Sequence, residues 1–189
     1  VAAGTGVTLT NNGTGSVTLS GTLSAINTLL ASANGVTYKS VTDYNGSDTL
    51  TMTTNDNGNT GAGVALSVTS TVALTITAVN DAPTNIVPAA QTTAEDTALV
   101  ISGLQIADVD AGTSTVTVNL VVGHGSITFG GVTTGVTLGS SATGNVTLTG
   151  TVSAINALLA SANGVIYTPA TDYNGSDTLT MTTNDGGNT

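Results

Sequence analysis

The sequence predicts an all-β protein, a β-sandwich repeated along the chain with one short helix in each repeat. Three observations predict it. Strand formers dominate: 40 of 189 residues are Thr, and hydrophobic residues, mostly Val, Leu, Ile and Ala, reach 39%. Such a composition can bury a core and is not that of a disordered chain. Turn formers interrupt the apolar runs about every 8–12 residues, the spacing of sandwich strands. Third, one segment of helical period occurs twice.

The repeat governs how the elements are read. Residues 6–60 and 135–189 align without gaps at an offset of 129 and are identical at 42 of 55 positions. A period of that size is one ordinary domain, not a coil of a solenoid. Residues 1–81 therefore read as the C-terminal part of one repeat of about 129 residues, and 82–189 as the N-terminal part of the next. The chain starts at Val1 with no basic, apolar leader, so it is expected to be a window onto a longer protein.

Residues 71–79 form a strong strand pattern, closed by Asn80-Asp81-Ala82-Pro83. Pro83 supplies no ladder donor and biases Ala82 to an extended conformation, as a stiff connector requires. Short β-branched runs follow at 85–87, 98–104, 116–122, 126–129, 136–138, 145–149, 165–167 and 178–183. Between the last four, Thr151 is placed to N-cap a helix. Val152, Ile155, Leu158, Leu159 and Ala162 share one face, and Asn163-Gly164 should stop it. Thr22, Leu23, Ile26, Leu29, Leu30 and Asn34-Gly35 repeat the pattern, so each repeat carries a crossover helix. Its polar face is Ser, Asn and Ala, which suits packing better than binding. Neither repeat is complete in itself, and an open sheet edge invites a strand from elsewhere.

Charge narrows the function classes. One Lys, no Arg and 11 acids give a formal charge of −10. Nucleic-acid binding and polybasic membrane contact both need clustered cations that this chain lacks. Without Cys there is no disulfide framework or thiol nucleophile, and with His124 alone there is no His-pair metal site. His124, between two glycines, reads as a hairpin turn residue. Met52 and Met181 read as core filler, and Tyr44 and Tyr173 as corner tyrosines. Asn-Gly-Ser at 45–47 and 174–176 is better explained as turn chemistry than as a glycosylation signal.

Almost every acid reads as a turn residue beside a strand end: Asp43, Asp48, Asp56, Asp81, Glu95, Asp96, Asp108, Asp110, Asp172, Asp177 and Asp185. Clustered carboxylates repel, and one Lys cannot offset that. A hard divalent cation such as Ca²⁺, which takes six to eight oxygens, is the simplest neutraliser. Asp108-Val109-Asp110-Ala111-Gly112 fits either convergence on one ion or a plain Asx turn. Turn acids of this kind look like ligands and not like the tuned groups of a cleft, so no enzyme is expected.

In the order of its motifs the chain resembles the cadherin-like domains of bacterial tandem-repeat surface proteins and adhesins. The motifs are Asn80-Asp81-Ala82-Pro83, Glu95-Asp96-Thr97, Asp108-Val109-Asp110-Ala111-Gly112, Asp172-Tyr173-Asn174-Gly175 and Thr183-Asn184-Asp185-Gly186-Gly187. The resemblance implies Greek-key sandwiches of cadherin or Ig type, with Ca²⁺ at the junctions. It implies that one junction draws on Asp43, Asn80, Asp81, Asp108, Asp110 and Asp185, and that Glu95 and Asp172 serve the next. Two departures reduce ligand charge: the linker is one residue short and lacks its preceding acid, and Asn45 and Asn174 stand where the family has Glu. The expected function is a Ca²⁺-stiffened stalk of a long secreted or cell-surface adhesin, its partners being neighbouring repeats. The alternative is a homopolymeric extracellular fibre assembled by strand complementation between chains.

Overall fold

Alternating Thr and aliphatic residues drive the chain into strands, with two short helices among the described residues. The structure is a computed structural model that describes residues 6–59, 62–131 and 133–187. Every strand pairing among them is antiparallel. The all-β expectation therefore holds. The chain divides into two units, Val1–Ile76 and Thr77–Thr189. Asn80 and Asp81 belong to the second, where both hydrogen-bond to its turns, although the linker proline marks the sequence repeat a few residues later.

In the first unit β1 (Val7–Thr10) pairs with β2 (Thr18–Gly21), and α1 (Leu23–Leu30) follows. β3 (Gly46–Asn55) and β4 (Ser67–Ile76) pair over ten residues, from Gly46 opposite Ile76 to Asn55 opposite Ser67. The strand expected at 71–79 thus starts earlier and stops earlier, because β3 supplies partners for 67–76 and none beyond. All ten residues of β3 are exposed, and Met52, expected in the core, is 51% exposed.

The second unit holds β5 (Thr84–Ile86), β6 (Leu99–Ile101), β7 (Gln105–Ala107), β8 (Thr115–Val121) and β9 (Gly125–Thr128). After them come β10 (Val136–Gly139), β11 (Asn145–Thr151), α2 (Val152–Leu159), β12 (Val165–Pro169) and β13 (Thr180–Asn184). They form a four-stranded sheet β10-β11-β8-β13, a three-stranded sheet β6-β12-β9 and the pair β5-β7. The single strand expected at 98–104 is two. Gly103, at φ 85, turns the chain so that β6 pairs with β12 while β7 pairs with β5.

One apolar core serves this unit. Val116, Val118 and Leu120 of β8 meet Val146 and Leu148 of β11, Ile127 of β9, Val165 of β12, Ile106 of β7, and Ile155, Leu158 and Leu159 of α2. Alternation along β8 and β11, buried at every second residue, is the period-2 signature of a half-covered strand. Thr151 caps α2 as expected, its hydroxyl accepting from the Ala154 N–H at 3.1 Å. The helix ends at Leu159, however, so Ala162 lies outside it. Gly164 instead lets the chain pass close under the last turn: a Cβ there would lie 2.3 Å from the Leu158 carbonyl oxygen.

Candidate metal centre

Two adjacent linker residues tie two acidic turns together in the second unit. The Asn80 side-chain amide donates to Asp185 Oδ2 at 2.8 Å, and the Asp81 N–H donates to Asp110 Oδ2. The first turn follows β7. Its Asp108 Oδ1 accepts from the N–H groups of Asp110 and Ala111, both at 2.9 Å, while Ala111 is buried beneath and Gly112 takes φ 48. The second turn follows β13. Its glycines, Gly186 and Gly187, take φ 71 and 77, and Asp185 Oδ1 accepts from the Gly187 N–H at 3.0 Å. That N–H, with the Asn80 amide, holds the Asp185 carboxyl below the usual carboxylate range.

Asp108 therefore makes the expected Asx turn with one oxygen only. Its other oxygen, Oδ2, is buried and accepts no hydrogen bond. A buried carboxylate oxygen without a donor is costly unless a charge compensates it. Asp110, Asp81, Asn80 and Asp185, linked by the Asp81–Asp110 and Asn80–Asp185 hydrogen bonds, carry side-chain oxygens, the ligand chemistry of a hard divalent cation. In residue type alone the set suits such an ion. Among the described residues, though, no three acidic or histidine side chains converge closely enough to cage one in the present arrangement. Asp108 also lines a shallow cleft with Ala82, Thr84, Ala107 and Val109.

Glu95 and Asp172 come together in a second acidic pair of turns. The Asp172 N–H donates to Asp96 Oδ1 at 3.0 Å, and the Asn174 amide reaches Glu95 Oε2 at 3.4 Å. Asp96 and Asp172 both take left-handed backbone, φ 59 and 57. Asp96 is the member that sequence reasoning passed over; its adjacency to Glu95 was the available signal. Asp43 lies in the first unit, in the turn before β3, with φ 59 like its repeat counterpart Asp172.

The remaining acids fasten loops. Asp177 accepts from the N–H groups of Gly123 (2.9 Å), His124 (2.8 Å) and Thr178 (2.8 Å) and from the Tyr167 hydroxyl (2.9 Å). Burial pushes the Asp177 carboxyl up, but these four donors outweigh it and hold the group below its ordinary value. Tyr167 is correspondingly raised to about 12, by burial first and then by its bond to Asp177. Asp48 accepts from Tyr38 and Thr49, and Asp56 from Gly58 and Leu66. His124 lies in a loop, but not in the hairpin turn expected, because that loop joins β8 of one sheet to β9 of another. Its ring stands edge-on to Tyr173, with centroids 4.3 Å apart. Tyr44 and Tyr173 donate to the carbonyls of Ser47 and Ser176, three residues on.

No helix among the described residues is long and apolar enough to cross a membrane. No family model matches the chain, and neither a curated protein nor a solved structure does.

Proposed function

We propose that this chain is an extender segment of a long secreted or cell-surface adhesin, built of Greek-key, cadherin-like sandwiches and stiffened by Ca²⁺. The observation that carries the calcium reading is the buried, unpartnered Asp108 Oδ2 beside Asp110, in a turn tied by the linker to Asp185. Asp81, Asp108, Asp110 and Asp185, with Asn80, would hold the ion, and Glu95, Asp96, Asp172 and Asn174 form a second cluster of oxygen donors. An ion here would replace the repulsion of four carboxylates by attraction and fix the linker against the unit that follows. The role is structural and not catalytic, since these acids are anchored by backbone N–H groups in turns. Near-identical copies suit a spacer, which needs length and not individual chemistry.

Calorimetry of the whole chain tests this. Saturating Ca²⁺ at about 100 times its Kd stabilises by ~2.7 kcal/mol, so chelation should lower the Tm of the second unit by about 10 °C. Asp108→Ala combined with Asp110→Ala should abolish the difference. An unchanged Tm on chelation would sink the calcium assignment.

A further inference from the structure

Among the described residues Asp185 is the one charged side chain that is buried. A buried anion demands donors, and an amide oxygen turned toward it would be repelled. Asn80 accordingly meets Asp185 Oδ2 with its side-chain nitrogen, at 2.8 Å, which leaves the amide oxygen facing elsewhere. One residue on, the Asp81 N–H donates to Asp110 Oδ2, and the Asp110 N–H donates in turn to Asp108 Oδ1 at 2.9 Å. The linker thus offers these turns N–H groups and not the oxygens a hard cation takes. Two carboxylate oxygens that could face an ion, on Asp110 and Asp185, face the linker instead, and the acids do not converge as a cage.

These bonds also decide how much of the linker is fixed. β4 ends at Ile76, and the next ladder begins at Thr84, opposite Ala107. Strand pairing alone would leave 77–83 untied. With Asn80 and Asp81 fastened, only 77–79 remain so, which takes about 13 Å of extended chain out of free motion.

We infer that Asn80 is a two-ended latch of the linker. Its amide nitrogen holds the linker to Asp185 when no cation is bound, and the amide turns over to present its oxygen when a cation enters the turns. The turning-over rests on the calcium reading above; the hold by the nitrogen does not. Cation uptake then strengthens a fastening that already exists, and it must first break the Asn80–Asp185 bond. Asn suits this role because its two ends are a donor and an acceptor of the same reach.

Asn80→Asp separates the two ends, since a carboxylate keeps the oxygens and loses the donor. In chelator, hydrogen exchange of the full chain should show the Asp81 amide protected in the wild type and at least about tenfold less protected in the variant. Amides of β8 and β11 should exchange alike in both, which distinguishes an opened latch from an unfolded unit. With Ca²⁺ the order should reverse. Calorimetric titration should find the variant binding about tenfold more tightly, because a charged ligand replaces a neutral one and no bond has to break first. The wild-type Asn80 side-chain amide protons, followed by NMR, should exchange slowly in chelator and faster in Ca²⁺. Equal protection of the Asp81 amide in the two chains in chelator would overturn the latch. Weaker Ca²⁺ binding by the variant, or Asn80 protons unmoved by Ca²⁺ that does bind, would overturn the turning-over. Absence of Ca²⁺ binding by the wild type would remove the calcium reading and the turning-over together, and the comparison in chelator would still decide the hold by the nitrogen.

Discussion

At the residue scale, carboxylates with the same look in the sequence divide into two kinds. Asp177 and Asp48 accept at both carboxylate oxygens and Asp56 accepts twice at Oδ1, whereas Asp108 keeps one buried oxygen without any donor. Asp177 belongs to stability. Because its folded pKa lies below the unfolded value near 3.8, the unfolded chain binds more protons in that range. The stabilisation is complete above the unfolded pKa and is lost as pH falls through the lower, folded one. Asp177→Asn should cost about 1–3 kcal/mol at neutral pH, since an amide cannot accept from four donors. It should also flatten the loss of stability below about pH 4. Urea titrations of the second unit across that range measure both effects. The sequence placed the acids in turns, and the structure agrees except at Asp48, which lies within β3 opposite Leu74. Which turns keep a spare oxygen was not legible, because that depends on the N–H groups of remote loops such as 123–124.

At the scale of elements, local chemistry was legible and partnership was not. The cap at Thr151 and the apolar face of α2 follow from residues within a few positions of each other. The end of β4 and the split between β6 and β7 depend on partners far along the chain, β3 for the first and β5 and β12 for the second. Asn163-Gly164 marks a helix stop in the sequence, yet Gly164 serves a different purpose. Its φ is unremarkable for an L-residue, and the constraint is space: an added Cβ meets carbonyl oxygens of Leu158 at 2.3 Å and Leu159 at 2.8 Å. Gly164→Ala should therefore destabilise the second unit by about 1–3 kcal/mol through forced backbone shifts. Gly139→Ala, whose Cβ would make ordinary contact with Thr147 at 3.5 Å, should change stability by less than about 0.5 kcal/mol. Denaturant midpoints of the two variants separate a packing constraint from a general intolerance of alanine.

For the whole molecule, the repeat makes an internal control: one sequence in two states of cover. Burial is not a property of the segment, which is why no local reading could place Met52 outside the core and Met181 against it. Leu148 is fully buried between β8 and β10, while the identical Leu19 is only half-buried in a two-stranded pair. Leu148→Ala removes a side chain from a closed core and leaves a cavity, so it should cost the second unit about 2–5 kcal/mol. Leu19→Ala removes the same atoms where much of their surface already meets water, so the lost transfer energy and the cavity are both smaller; about 1 kcal/mol is expected. Native-state hydrogen exchange reads the same asymmetry without mutation. Amides of β11 and α2 should open only with the second unit, while those of β2 and α1, identical at most positions, should exchange through smaller openings and faster. Equal exchange rates in the two copies would mean that the cover of the core does not set their stability.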